Sequence, residues 1–281
     1  MRPRSSRTEK RGRPAGGAAP RLAPFARVQA EVDPLDYIST TPGRIPVVIT
    51  APHGGNKLIP GVAVRENRGQ MFFETIRDLR TAELAERLAA HLATLLGGPP
   101  YLVIARFDRQ QIDANRPSAD AYTAPGNDGP KVIYDAYHAE LAASTAEIER
   151  IWGAGVLLDI HGQALLPGRF IRGTRNGETV KSLVARRGVA ALNGPKSLFG
   201  ALAELGYPIT PSSDAGNRKE LHFTGGHNVD THGSGEGGHV DAIQIEIGSR
   251  FRTVERLDRT ARDLAAATAV FAKDYLPQKP K

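Results

Sequence analysis

Two stretches of this chain stay apolar for longer than a strand with one wet face needs. Residues 45–52 read IPVVITAP and residues 155–160 read GVLLDI, with β-branched or aliphatic side chains at almost every position. A strand exposed on one side alternates, whereas one covered on both sides does not. Such runs belong in the interior of a sheet flanked by helices. The segment 101–106 (YLVIAR) has the same character, and 242–247 (AIQIEI) alternates as a strand.

Between these strands the apolar spacing turns helical. After Asp78 come Leu79, Ala82, Leu84, Ala85, Leu88, Ala89, Leu92 and Leu95, stopped by Gly97-Gly98-Pro99-Pro100. The spacing predicts further helices over 131–152 and 253–276, with shorter ones over 180–190 and 196–205. Polar, Gly- and Pro-containing loops are expected over 56–77 and 107–130. Helices alternating with buried strands predict an α/β fold: a three-layer sandwich around a mixed, largely parallel sheet. Residues 25–281 are read as a single domain, which 281 residues can build around one large core.

The formal charge of +7 is a nucleic-acid signal only until it is located. Arg2, Arg4, Arg7, Lys10, Arg11, Arg13 and Arg21 face a single acid, Glu9, so nearly all the excess lies in the first 21 residues. Residues 1–24 read as a disordered basic tail, too poor in apolar groups to offset the entropy of ordering. Nucleic acid is expected as a partner only through that tail. The chain shows neither a secretory apolar core nor an apolar run of membrane-spanning length; a cytoplasmic protein with no membrane partner is expected. It has no cysteine. A metal site must therefore use imidazole and carboxylate, and a thiol nucleophile is excluded.

Chemistry-bearing side chains recur where the strands end. His53 follows the first strand in Pro-His-Gly-Gly, and His161 follows the third in Asp-Ile-His-Gly. Open α/β sheets bind ligands beyond the carboxyl ends of their strands, so residues far apart in sequence can meet there. A turn histidine without chemical duty would look the same, but two strand-His-Gly endings favour a shared role. Asp78, before a helix, is the third candidate ligand, although helix capping alone favours an acid there; Glu74, Asn56 and Asp159 are alternatives. Glu246 lies within a strand, sharing a face with Gln244, and a buried carboxylate needs a cation, a water to deprotonate or an arginine. His53, Asp78, His161 and Glu246 together are the parts of a one-zinc hydrolase: three ligands and one carboxylate to manage water. Arg109, Asp113, Asn115 and Arg116 form a polar cluster after the second strand, suited to an anionic substrate. The Gly-rich segment 223–239 reads as a mobile flap whose His227 or His232 touches substrate.

The motifs PHGG (52–55), RDLRTAELA (77–85), DANRP (113–117), YDAYH (134–138), DIHG (159–162), FTGGHNVDTHG (223–233) and QIEIG (244–248) resemble, in this order, the N-formylglutamate amidohydrolase family. The order is also similar to zinc carboxypeptidases and muramoyl-alanine amidases, and the resemblance implies a phosphorylase/hydrolase-like fold. It further implies one Zn2+ held by His53, Asp78 and His161, and Glu246 as general acid and base. Arg109, Asn115 and Arg116 would hold the carboxylate of a small anionic acyl-amino acid, Arg116 foremost. Carboxypeptidases place an acidic ligand three residues after the first histidine; here that position is Asn56, which argues against a standard peptidase site. A peptidoglycan amidase or carboxypeptidase-like hydrolase is the alternative expectation.

Overall fold

The computed structural model describes residues 32–123, 128–212 and 219–278. The basic tail expected over 1–24 lies outside them. The elements run β1 (Ile38–Thr41), β2 (Val47–Ala51), α1 (Thr81–Leu96), β3 (Tyr101–Ala105), α2 (Ser118–Ala121), α3 (Gly129–Trp152), β4 (Gly155–Gln163) and β5 (Phe170–Gly173). There follow α4 (Lys181–Arg187), α5 (Ala190–Asn193), α6 (Leu198–Glu204), β6 (Ile209–Thr210), α7 (His227–His232), β7 (Val240–Gly248) and α8 (Leu257–Tyr275).

The strands form one sheet in the order β1-β3-β2-β4-β7-β5-β6. The four central strands, β3, β2, β4 and β7, are parallel. β1 is antiparallel to β3 and β5 antiparallel to β7, while β6 runs parallel with β5. The sheet is thus mixed with a parallel centre. Because β2, β4 and β7 point the same way, their carboxyl ends open on one edge.

The alternation of side chains splits the core in two. Val47, Ile49, Val156, Leu158, Ile160, Ile243, Ile245 and Ile247 pack with Leu84 and Leu88 of α1 and Leu264 and Phe271 of α8. Val48, Leu157, Val240 and Ala242 face the other way, against Ile133, Tyr137 and Leu141 of α3. On that second face the strands turn polar towards their ends: Thr50, Asp159, His161, Gln244 and Glu246 are all buried. Register pairs Thr50 with Asp159, Asp159 with Gln244, and His161 with Glu246.

Several elements differ from expectation. The helix expected to open at Asp78 begins at Thr81, because Arg80 takes a left-handed conformation (φ 64°). The carbonyl of Asp78 instead receives the Thr81 hydroxyl at 2.8 Å, which leaves its carboxylate free to point elsewhere. The expected flap contains α7 and a 3-10 turn at Ser234–Glu236. β1, β5 and β6 are two to four residues long, too short for periodicity to register. In β5 the pattern also misleads: Arg172 is buried there, its Nε 2.9 Å from the equally buried Glu220.

Among the described residues no helix is long and apolar enough to cross a membrane. Leu264, on the sheet-facing side of α8, is fully buried, whereas Val254 just before that helix is exposed. Leu264→Ala is expected to lose about 2–5 kcal/mol of unfolding free energy and Val254→Ala less than about 0.5 kcal/mol, read as shifts of the urea midpoint.

Candidate metal centre

Three segments deliver the ligand groups. β2 ends at Ala51, and the Pro52–Gly55 turn carries His53 over the edge of the sheet. A side chain at Gly54 would lie 2.4 Å from the Ala82 nitrogen, so only glycine lets this turn press onto the start of α1. The Asp78 N–H then donates to the His53 carbonyl at 2.9 Å, which brings the two residues side by side. His161 arrives on β4, one strand over.

His53, Asp78 and His161 each offer a ligand atom, and these atoms all lie within 4.8 Å of one another. His53 Nδ1 is 3.4 Å and His161 Nδ1 3.5 Å from Asp78 Oδ2. The other nitrogen of each ring points outward onto an acid: His53 Nε2 meets Asp113 Oδ1 at 2.7 Å, and His161 Nε2 meets Asp159 Oδ2 at 2.9 Å. Each carboxylate takes an Nε2–H, so whenever a ring is neutral its lone pair sits on Nδ1 and faces inward. His53 Nδ1 is buried without a hydrogen-bond partner. Leaving such an atom unsatisfied costs about 1–3 kcal/mol. A divalent cation between the two rings and Asp78 fits what these atoms need, and carboxylate-backed imidazoles are how proteins commonly orient metal ligands.

The electrostatics agree. Burial would raise the Asp78 carboxyl, but contacts with His161 and His53 hold it far below the usual range. Burial likewise opposes ionisation of Asp113, yet His53, Arg109 and Arg65 keep it well below. His161 would be lowered by burial, but Asp159, Asp78 and Glu246 carry it well above the ordinary imidazole value. The centre therefore attracts positive charge. Glu246 is pushed up to about 7, chiefly by burial and further by the charge of Asp78, with His161 pulling the other way. The Gln244 side-chain amide donates to its Oε1 at 3.0 Å.

The other candidate ligands make different contacts. Glu74 is exposed and its carboxylate caps the Thr75 and Ile76 N–H groups. Asn56 is exposed, and Asp159 Oδ2 bonds His161 Nε2, the nitrogen other than the one near Asp78. Two expected substrate groups are otherwise engaged. Arg109 is buried, bonding Asp113 Oδ2 at 3.2 Å, Asp78 Oδ1 at 3.3 Å and the Ile76 carbonyl at 3.2 Å. Asn115 is buried between Gln244, His161 and the N–H of Asn228. Both side chains are bonded to other residues of the site. Arg116 is different, half-buried with its guanidinium on the carbonyls of Asn115 and Phe72, 3.1 Å each. Neither partner is an acid, so its charge is not neutralised by them. His232 pairs with His138 across 3.0 Å, and both rings stay neutral, His232 lowered to about 4 and His138 to about 3, first by burial and then by neighbouring histidines.

Sequence reading did not assign Asp113 to His53, nor the roles of Asn228, Tyr137 and Thr50. Asn228 Nδ2 donates to Asp159 Oδ1 and Tyr137 Oη, 3.2 Å each, and Tyr137 Oη meets Thr50 Oγ1 at 2.5 Å. Polar residues on the buried face of a strand or helix were the available signal, and Asp113 stood within the DANRP motif.

The sequence pattern of the N-formylglutamate amidohydrolase family matches residues 45–136, the stretch holding His53, Asp78, Asp113 and Arg116. No protein of curated function matches the chain. Among solved structures, the N-formylglutamate amidohydrolase of Ralstonia eutropha JMP134 superposes with a TM-score of 0.60 at 18% identity, covering 85% of this chain and 98% of that one. A gene product of Agrobacterium tumefaciens gives 0.51 at 14% identity, covering 83% and 93%. At these identities the structural likeness is one of fold. The chain thus resembles the N-formylglutamate amidohydrolase family, and hydrolase chemistry is supported.

Asp159→Ala would leave His161 Nε2 without its acid. A divalent-metal affinity lower by about 10- to 100-fold, measured by competition with a chromophoric chelator, is the expected outcome.

Proposed function

We propose that this protein is a zinc-dependent amidohydrolase that cleaves the amide of a small N-formyl- or N-acyl-amino acid. The observation that carries the reading is the pair of buried imidazoles, each backed by a carboxylate and each turning Nδ1 towards Asp78. Two nitrogens and one carboxylate oxygen, with no thiolate in the chain, are a donor set that suits Zn2+ with a position left for water or substrate. Zinc held there supplies Lewis acidity to the scissile carbonyl and to the attacking water.

The chain's own groups do the rest. Glu246 stands in register with His161 on the adjacent strand, and a buried carboxylate with a raised proton affinity suits a group that must both take and return a proton. It accepts the proton of the attacking water and delivers it to the departing amine nitrogen. Arg116 anchors the substrate carboxylate through a bidentate contact. Arg109 holds Asp78 and Asp113 in place from behind. His138 Nε2–H donates to the Ala114 carbonyl, so its Nδ1 accepts from His232 Nε2–H, and the neutral pair leaves the lone pair of His232 Nδ1 to offer to substrate without adding charge.

Removing metal with a chelator is expected to abolish hydrolysis and added Zn2+ to restore it. Glu246→Gln is expected to retain metal while kcat falls about 10²- to 10⁴-fold, and His161→Ala to lose both; metal analysis alongside steady-state kinetics on N-formyl- and N-acetyl-amino acids checks this. Full turnover by metal-free protein would sink the mechanism. Arg116→Ala is expected to raise KM about 10- to 100-fold for carboxylate-bearing substrates with kcat little changed. A preference for muropeptides in the same assay would move the reading to a peptidoglycan amidase.

A further inference from the structure

Behind the ligands lies a row of buried amides whose direction is set by the main chain. The N–H of Asn228 donates to Asn115 Oδ1 at 2.9 Å. A main-chain N–H can only donate, so the oxygen of the Asn115 amide must face it. The Nδ2 end therefore faces the opposite way, 3.3 Å from His161 Nε2 and 3.4 Å from Gln244 Oε1. His161 Nε2 gives its hydrogen to Asp159 and has no lone pair to offer there, so Gln244 Oε1 is the acceptor. Gln244 is left with its Nε2–H groups towards Glu246 Oε1, at 3.0 Å. Asn115, Asn228, Gln244 and Glu246 are all 5% exposed or less, which keeps water from competing for these bonds.

We propose that Gln244 is a positioning residue for Glu246: its amide, unable to turn over, keeps Oε1 an acceptor and sends the proton carried by Glu246 to Oε2. Were Gln244 free to flip, its oxygen could take a hydrogen from Glu246 Oε1 and trap the proton in the interior. Asn115 forbids this, because a flipped Gln244 would set two amide donors against each other. The use of that proton rests on the amidohydrolase reading; the direction of the amide row does not. In the reaction, an O–H bond of the attacking water breaks as Glu246 Oε2 takes the proton, while the water oxygen bonds to the carbonyl carbon and the C=O π pair moves onto the carbonyl oxygen. The Oε2–H bond then breaks as the proton passes to the amine nitrogen, which leaves with the electron pair of the C–N bond as the oxygen pair re-forms C=O.

The test combines two variants with a spectroscopic readout. Gln244→Met keeps the length of the side chain and removes both amide groups. It is expected to lower kcat about 10- to 100-fold, with KM within about threefold and metal content complete. Asn115→Asp still accepts from Asn228 but sets an oxygen against Gln244, forcing its amide to turn; a comparable loss of kcat is expected. In the 15N–1H spectrum of the zinc-loaded parent, assigned by triple resonance, one Gln244 side-chain amide proton is expected downfield of free glutamine, and in Asn115→Asp it is expected to return upfield. A Gln244→Met enzyme with kcat within twofold of the parent overturns the proposal, as does loss of metal together with activity. A parent Gln244 amide at the free-glutamine position overturns it whether or not any substrate is hydrolysed and whether or not a variant folds. An inactive parent with the amide shifted would instead sink the amidohydrolase reading alone.

Discussion

The bonds from His53 to Asp113 and from His161 to Asp159 govern the rest of the centre. An imidazole is indifferent about which nitrogen carries its proton until a neighbour decides. Here two buried acids take the Nε2–H groups, and the lone pairs are turned inward towards Asp78. The acids need partners of their own: Asp113 is held by Arg109 and lies 3.6 Å from Arg65, and Asp159 by Asn228. Three carboxylates and Glu246 gathered in one buried volume repel one another unless positive charge enters among them. The packing of the second face of the sheet follows from meeting that demand.

The contrast between Arg109 and Arg116 shows how burial sorts residues that look equivalent in sequence. They lie seven positions apart in one polar loop. Arg109 is enclosed by two acids and a carbonyl, so its charge is consumed by the protein. Among the described residues Arg116 donates to two carbonyls, which orient a guanidinium without neutralising it. Phe72, whose carbonyl is one of those partners, has a left-handed backbone (φ 63°), a conformation phenylalanine adopts at some cost.

The central strands were legible in the sequence because they are buried on both faces, and a short, unbroken apolar run suits the covered interior of a sheet better than any wet surface. β2 and β4 lie within two residues of the runs read from composition at their starts, and β7 extends that reading at its start. The meeting of His53 with His161 could be anticipated from strand ends alone. What periodicity could not reveal was contact between loops: Asp113 reaching His53 across 60 positions, or Asn115 reaching Gln244 across 129. Nor could it reveal α7, whose six residues follow a Gly-rich approach. Gly226 is pressed so close to Asn115 that a Cβ there would lie 2.3 Å from Nδ2, a packing requirement invisible in local composition.

Because β2, β4 and β7 are parallel neighbours, each crossover between them spans a long stretch of chain. No two of the three groups that would grip an ion are held together by local structure alone. In an unfolded chain His53 and His161 are separated by over a hundred residues, and loop-closure entropy leaves such a chain little affinity for a cation. Capture of an ion there would be a late event, thermodynamically coupled to assembly of the whole sheet. Each increment in available metal above its dissociation constant would then draw the conformational equilibrium towards the assembled form, and cation supply would help set how long the polypeptide persists.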